Sequence, residues 1–311
     1  MSPGSSTALA AALLVLAASS AKTANGEDAL RVCLDANVPP WSMHDGARSA
    51  GFDPAVAEAI AGRLGRKLTV QWFETERDHD ASTTLAANAL LSDRLCQLVG
   101  GYPLVESALG KPGMSSARMP DYEGAGPSDR RRWVGLGILM PSRAYQFAAL
   151  TIVLGAAAAS QRITDLSDLQ GLALGVEGGT LADAILMLFG DGRFVDRITH
   201  VIPVRDELLR RLERGEYDAT LVELRRFDAY RAEHPETNLT PSGYYFPVGF
   251  NIGFIGLSTD PDLIEKVDRS IVDMLDSGEL AALARAAGVS YLPPRGPNVS
   301  PEPKISDLGR N

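Results

Sequence analysis

Positive charge is scarce in this chain. Its 311 residues include 30 Lys and Arg against 39 Asp and Glu, so the formal net charge is −9 and the pI is near 5.0. Proteins that bind nucleic acid or anionic membranes need a surface with an excess of basic residues. The composition therefore predicts neither kind of partner. The length and a hydrophobic content of 45% are enough for a buried core and favour two lobes.

Histidine is scarce as well, and familiar catalytic motifs are missing. Asp78-His79-Asp80 has the composition of a solvated loop rather than of a metal site. No Gly-x-Ser-x-Gly elbow is present, and Gly178-Gly179 lacks the Lys that a nucleotide-binding loop requires. We therefore predict no metal, no cofactor and no enzymatic activity. The four histidines are scattered along the chain: His44, His79, His200 and His234.

The apolar run Ala8–Ala18 is too short to cross a bilayer but has the length of a signal-peptide core. Small residues at Ser19-Ser20-Ala21 fit a cleavage site, although Met1–Thr7 contains no Lys or Arg. No Cys follows the apolar run, so a lipid anchor is not expected. We predict that residues 1–21 are a signal peptide and that the mature protein is periplasmic.

The first part of the mature chain predicts a strand, a loop, a helix and a second strand. Leu30–Leu34 is a short apolar run, and Pro39-Pro40 stops it because proline donates no backbone hydrogen bond. Apolar residues then recur at helical spacing, with Asp53 as the expected N-cap and Gly65 as the expected C-cap. Lys67–Phe73 follows as the second strand. Open α/β sheets bind ligands at the carboxyl ends of such strands.

The residues around this loop resemble one known family. An Asp after the strand, a Pro-Pro-aromatic turn and a Gly-Phe-Asp before the helix are similar to the start of family 3 extracellular solute-binding proteins. These residues are Asp35, Pro39-Pro40-Trp41 and Gly51-Phe52-Asp53. The resemblance implies an α/β, type II periplasmic binding protein fold, in which two doubly wound lobes are joined by two crossovers. It also implies that Asp35 and Trp41 line a ligand cleft.

The same resemblance divides the chain into lobes. The implied parts are a first lobe of residues 22–154 and 250–295, a second lobe of residues 155–249, and a tail of residues 296–311. Gly110–Arg132 is rich in Gly, Pro, Ser and charge, which predicts an inserted surface loop. The Pro-rich stretch from Leu292 to Asn311 predicts a poorly ordered C-terminal segment.

Two candidate ligand contacts, Gly101 and Tyr102, follow the predicted strand Leu95–Gly100. In the family, this region carries a Ser or Thr and then an Arg that clamps the carboxylate of an amino acid. The matching segment here, Pro103–Ala108, contains no Arg. Arg143 is then the candidate replacement for that clamp, and a solvent-exposed Arg143 side chain is the alternative.

The second lobe offers Gly179, Thr180 and Glu223. Glycine lets the backbone approach a ligand, Thr180 can cap the helix that follows it, and free N–H groups at a helix N-terminus attract anions. The alternative is a bare strand-to-helix turn. Glu223 stands where the family has an Asp that binds the ligand's amine. Alternatively, Glu223 only favours the N-terminus of the next helix.

The two cysteines, Cys33 and Cys96, fall in the first predicted strand and at the start of a later one. Those strands are neighbours in a doubly wound sheet ordered 2-1-3. In an exported protein, a Cys33–Cys96 disulfide is favoured over two free thiols. A catalytic thiol is the alternative.

These observations lead to three functional hypotheses. The first is a monomeric periplasmic protein that captures a small-molecule ligand between its lobes for an ABC importer. The second is an accessory partner of a periplasmic quinoprotein alcohol or methanol dehydrogenase, because the paired cysteines resemble those of the solute-binding-like proteins associated with such enzymes. The third is an enzyme that resembles periplasmic cyclohexadienyl dehydratases, with a buried Glu223 as the acid.

Overall fold

The computed structural model describes residues 29–75, 83–129 and 131–304, together with Met1 and Leu308. The predicted signal peptide and Asp78-His79-Asp80 lie outside the described residues. Elements up to the first long strand are β1 (Ala29–Asp35), β2 (Asn37–Val38), β3 (Ser42–His44), β4 (Ser49–Ala50), α1 (Phe52–Arg63), β5 (Lys67–Glu74), α2 (Thr83–Ser92), β6 (Leu98–Leu104), β7 (Ser116–Arg118), β8 (Asp121–Tyr122), β9 (Trp133–Gly135) and β10 (Leu139–Leu154).

The remaining elements complete the second lobe and return to the first. They are β11 (Leu174–Glu177), α3 (Leu181–Leu188), β12 (Ile198–Val201), α4 (Glu207–Glu213), β13 (Ala219–Glu223), α5 (Leu224–Glu233), β14 (Thr240–Leu257), α6 (Pro261–Asp276) and α7 (Glu279–Ala286). Within the described ranges, no helix combines the length and the apolar character needed to cross a membrane.

One twisted sheet runs through both lobes in the order β12-β11-β13-β10-β14-β6-β1-β5-β8. In the first lobe, β1 lies between β5 and β6 and is parallel to both, which is the predicted 2-1-3 order. In the second lobe, β11 lies between β12 and β13 and is again parallel to both. The long antiparallel strands β10 and β14 form the two crossovers.

Each lobe has its own apolar core, and the long strands pass from one core to the other. On β10, Tyr145 and Ala148 belong to the first core, whereas Leu150 already belongs to the second. On β14, Phe246 lies in the second core and Ile252 in the first. The change from one core to the other thus falls between Ala148 and Leu150 on β10 and between Phe246 and Ile252 on β14, and the lobe boundaries at 154/155 and 249/250 stay predictions.

Helix α1 begins two residues earlier than its sequence suggests, and Gly51 rather than Asp53 is its N-cap. Gly51 has φ 129°, and a Cβ there would lie 2.3 Å from the carbonyl oxygen of Trp41, so only glycine fits. Asp53 consequently falls inside the first helical turn, where it is buried. The C-cap is Leu64 rather than Gly65, and Gly65 follows it with φ 64°.

The segment 110–132 is not simply a surface loop, and the prediction is wrong on this point. β7 within it pairs with β9, and β8 pairs antiparallel with β5, so the insertion adds an edge strand to the main sheet. Ala117 and Met119 are buried against α2 and its neighbours. Ala117 and Met119 are two residues apart, so in an extended chain their side chains point to the same side and bury it in an otherwise polar stretch.

The C-terminal stretch 292–304 is also ordered, contrary to prediction. The Asn251 side-chain amide donates hydrogen bonds to the carbonyls of Arg295, Pro297 and Asn298, at 2.7, 2.9 and 3.0 Å. Further along, the Ser300 N–H donates to the Leu104 carbonyl at 2.8 Å. These bonds hold residues 295–300 against β14 and β6. They also satisfy backbone carbonyls in a segment that has no regular secondary structure.

The predicted disulfide is confirmed: Cys33 and Cys96 are bonded, with their Cα atoms 5.6 Å apart. Cys96 lies just before β6 rather than within it. Both residues are buried in the first lobe, so this disulfide joins β1 to the segment that leads into its neighbouring strand. The alternative of a free catalytic thiol at either position is wrong.

Candidate ligand-binding cleft

A cleft of about 760 Å³ lies between the lobes. Its first-lobe wall is formed at the carboxyl ends of β1 and β5, with the loop before α1 and the middle of β6. Its second-lobe wall is the junction of β13 and α5. This is the position where open parallel sheets bind ligands. The predicted residues that line it are Asp35, Trp41, Gly101, Tyr102 and Glu223, and the structure adds Asp53, Arg225 and Arg226.

Trp41 is one of the aromatic residues that line the cleft. Its side chain is 1% exposed and packs edge-on against Phe52, with ring centroids 5.8 Å apart. The guanidinium carbon of Arg225 lies 4.5 Å from the centroid of the indole ring. Because Trp41 belongs to the first lobe and Arg225 to the second, this cation–π contact joins the two walls. The indole Nε1 is buried and has no hydrogen-bond partner among the described residues.

Asp53 forms a buried hydrogen-bonded chain with Tyr145 and Gly101. The Tyr145 hydroxyl donates to Asp53 Oδ1 at 2.7 Å and accepts from the Gly101 N–H at 2.8 Å. Gly101 has φ 69°, and a Cβ there would lie 2.7 Å from Asp53 Oδ2. Burial raises the pKa of the Asp53 carboxyl, and the Arg225 charge and the Tyr145 hydrogen bond offset part of that rise.

Asp35 lines the cleft with both oxygens already engaged. Oδ1 accepts from the Asn37 N–H at 2.9 Å, and Oδ2 accepts from the Thr75 hydroxyl at 2.7 Å. These bonds join the turn after β1 to the end of β5. A carboxylate has about four lone-pair sites, so Asp35 keeps acceptor capacity for another group.

Glu223 is exposed at the last position of β13 and is the N-cap residue of α5. Its side chain makes no capping hydrogen bond, and its position at the N-terminus of α5 is also the one that the helix-dipole alternative requires. Glu223 also lines the cleft opposite the first-lobe carboxylates.

Arg226 also lines the cleft, but its charge is already paired. It donates to Oε2 of Glu177, whose side chain is 4% exposed. The second oxygen of Glu177, Oε1, is buried without a hydrogen-bond partner among the described residues. This ion pair ties α5 to the end of β11.

Arg143, Gly179 and Thr180 do not line this cleft. Arg143 has an exposed side chain, and its backbone N–H donates to Asp268 of α6 at 2.6 Å. The N–H of Gly179 donates to Asp183 Oδ2 at 2.8 Å, and Thr180 Oγ1 accepts from the Asp183 N–H at 3.2 Å. The helix N-terminus is therefore capped as predicted, but its anion is a carboxylate of the same helix.

Sequence reasoning missed Arg225, Arg226 and the role of Asp53. The first turn of α5 has no acidic residue and carries two arginines, although the positive end of the helix dipole disfavours cations there. That mismatch was a readable signal that the arginines serve the tertiary structure. No local signal placed Asp53 in the cleft, because its partner Tyr145 lies 92 residues away.

The described residues contain one group able to hold a metal ion. Asp206, Glu233 and His234 place one ligand atom each within 4.8 Å of one another. Arg205 donates to Glu233 at 2.6 Å and lies 3.6 Å from Asp206, so a guanidinium already balances these carboxylates. This group lies outside the cleft.

Comparison of sequences identifies no relatives: no protein-family model matches the chain, and no curated protein matches it. Comparison of structures does identify similar folds. The L-cystine solute receptor of Neisseria gonorrhoeae, in its unliganded open conformation, is 16% identical with a TM-score of 0.60, over 87% of this chain and 97% of that one.

Two further solved structures are similar. The substrate-binding domain 2 of Lactococcus lactis GlnP, in its open conformation, is 16% identical with a TM-score of 0.59, over 84% of this chain and 95% of that one. The second substrate-binding domain of a Streptococcus pneumoniae protein is 15% identical with a TM-score of 0.58, over 82% and 98%. At these identities the likeness establishes the fold, which is the predicted two-lobed periplasmic binding protein fold.

Proposed function

We propose that this protein is a periplasmic solute-binding protein that captures a small polar ligand between its lobes and delivers it to an ABC importer. The observation that carries the proposal is the cleft of about 760 Å³, which has charged side chains on both walls and aromatic side chains on the first-lobe wall. Such a volume suits a small molecule. The structural neighbours support this function, because they include a cystine receptor and substrate-binding domains, one of them assigned to an amino acid ABC transporter.

Ligand capture in this fold would work by closure. A ligand in the cleft touches Asp35, Trp41 and the Gly101–Tyr102 segment on one wall and Glu223 on the other. It therefore stabilises the arrangement in which both walls are close. The crossovers β10 and β14 are the segments through which the lobes are connected, and closure would bend them. The register of their pairing shifts between Ala149 and Thr151, where β10 passes between the cores.

An enzymatic role of the dehydratase type has less support. That hypothesis requires a buried Glu223 that stays protonated to act as an acid, but Glu223 is exposed. The accessory role with a quinoprotein dehydrogenase rests on the Cys33–Cys96 disulfide, which the structure contains. A purely structural disulfide in an exported protein accounts for the same bond.

A thermal-shift screen of the mature chain, residues 22–311, tests the proposal. The panel contains amino acids, organic acids, polyamines and alcohol-oxidation intermediates. A ligand at a hundredfold excess over its Kd should stabilise the folded protein by about 2.7 kcal/mol. Glu223→Ala should weaken the response to that ligand, and Glu236→Ala should not, because Glu236 is an exposed acid outside the cleft.

Silence of the unmodified protein across this panel would contradict the solute-binding function. Capture of a quinoprotein dehydrogenase from periplasm by the same silent protein would then favour the accessory role.

A further inference from the structure

We infer that Arg225 is the residue that binds an oxyanion of the ligand, so the anion clamp comes from helix α5 of the second lobe. The inference rests on the proposed function and specifies the chemistry of its ligand. Among the described residues that line the cleft, the first lobe supplies no arginine: Pro103–Ala108 contains none, and the Arg143 side chain is exposed outside the cleft.

Arg225 is held in position without using its hydrogen-bond donors. Its guanidinium lies against the face of the Trp41 ring at 4.5 Å, an attraction that comes from the charge and the ring quadrupole. A guanidinium has five N–H donors and no acceptor. The cation–π contact thus orients the group at the cleft wall and leaves those donors available.

In the described part of the chain, Arg225 has no hydrogen bond and no ion pair. Its neighbour Arg226 differs, because Arg226 donates to the buried Glu177. Arg225 is half-buried in the cleft, and leaving donors unpaired there has a cost. Trp41, which lines the same cleft, has a fully buried Nε1 without a hydrogen-bond partner among the described residues. The donors of the half-buried Arg225 at the cleft wall therefore suit a ligand that brings acceptors.

The carboxylates that share the cleft define the other end of the ligand. No ion pair joins Arg225 to Asp35, Asp53, Glu74 or Glu223, although the Arg225 charge offsets part of the rise in the pKa of Asp53. These carboxylates would repel an anion that carries no hydrogen-bond donors. The ligand we infer is therefore a small oxyanion, such as a carboxylate, that also carries ammonium or hydroxyl groups. The cleft carboxylates are Asp35, Asp53, Glu74, Asp121 and Glu223.

Acid and amide pairs test this inference. The probes are amino acids and hydroxy acids together with their matching primary amides, which keep the shape and lose the negative charge. Binding is followed by thermal shift and tryptophan fluorescence in the unmodified protein. We expect at least tenfold weaker binding of the amide, a difference of about 1.4 kcal/mol.

Arg225→Gln should remove this preference for the acid, whereas Arg143→Gln is the matched control and should retain it. Arg225→Lys keeps the positive charge and should retain part of the preference. The acid–amide difference in the unmodified protein needs no variant, so it remains informative even if a variant folds poorly.

The outcomes separate this inference from the proposed function. Equal affinity for acid and amide, or an undiminished acid preference in Arg225→Gln, would overturn the role of Arg225 while solute binding stands. Loss of the preference in Arg143→Gln alone would also overturn it. Absence of binding by every probe in the unmodified protein would overturn the proposed function together with the inference.

Discussion

The second lobe contains two strand-to-helix turns that look equally suited to a ligand, but only the turn before α5 lines the cleft. The turn before α3 has the glycines and the threonine of an anion site, but Asp183 of its own first helical turn occupies the N–H of Gly179. The turn before α5 carries Arg225 and Arg226 and lines the cleft. At the α3 turn, the carboxylate of Asp183 therefore occupies a backbone donor that a ligand could otherwise use.

Removal of Arg226 at the α5 turn should have the largest effect on stability. Arg226→Ala leaves Glu177, whose side chain is 4% exposed, as a buried charge without a partner. Breaking such a pair costs about 3–5 kcal/mol, and the lower value applies because Arg226 is itself 32% exposed. Thermal unfolding should show a fall in Tm of roughly 6 °C or more.

The double variant Glu177→Gln with Arg226→Gln is the control for this prediction. It removes both charges together and should recover most of the lost stability. An equal loss in the double variant would assign the effect to side-chain packing instead of charge.

Asp183→Ala at the α3 turn should have an intermediate effect. It removes the acceptor of the Gly179 N–H and the partner of His200, which lies 2.9 Å from Asp183 Oδ1. Loss of a hydrogen bond to a charged group costs about 1.5–3 kcal/mol, and partial exposure favours the lower end. Denaturant unfolding would measure this loss. Asp196→Ala, at a nearby exposed acid, should leave stability unchanged.

The same Asp183 variant sharpens the comparison between the turns. Because the α3 turn does not line the cleft, Asp183→Ala should bind the ligand from the thermal-shift screen with unchanged affinity. A tenfold loss of affinity, measured by calorimetry, would place the α3 turn at the ligand after all.

Gly179→Ala should cost less, about 1 kcal/mol. Gly179 has φ 78°, which is unfavourable for a residue with a Cβ, but that Cβ would meet no atom within 4 Å. Gly101→Ala is the matched comparison on the first-lobe wall and should cost more, because its Cβ would lie 2.7 Å from Asp53 Oδ2. Equal losses of unfolding free energy for the two variants would contradict this account.

Asp53 opposite the α5 turn should make stability depend on pH. Its pKa in the folded protein is raised by burial, so the folded state binds a proton more tightly than the unfolded state. Stability should therefore fall as pH rises from about 3.8 through the folded pKa, and the cost should persist above it. Asp53→Asn should remove the Asp53 contribution to this slope in unfolding measured across the acid range, leaving the contributions of other carboxyls such as Asp228 and Asp268.

Arg225→Gln provides a second test of the same coupling. The Arg225 charge offsets part of the rise in the pKa of Asp53, so its removal should raise that pKa further. The pH range over which stability falls should then extend to higher pH. Asp183→Ala, at the α3 turn, should leave the pH range of this slope unchanged.

Much of the first lobe could be predicted from sequence because its signals are local. Apolar runs bounded by Pro39-Pro40 and glycines mark β1, α1 and β5 without reference to distant residues. Expected strand order and export together were enough to predict the Cys33–Cys96 bond. The failures involve long-range partners: the 110–132 insertion is held by β5, and residues 292–304 are held by Asn251 and Leu104.

The sequence by itself determined which segments form strands and helices, since hydrophobic periodicity and backbone-restricting residues act over a few positions. It also determined that a cleft would lie at the carboxyl ends of the strands. Only the tertiary structure decided which charged groups face that cleft. The Arg143 side chain is exposed outside the cleft, and Arg226 is paired with the buried Glu177, whereas Arg225 lies against Trp41. Such differences arise from packing between residues far apart in the chain.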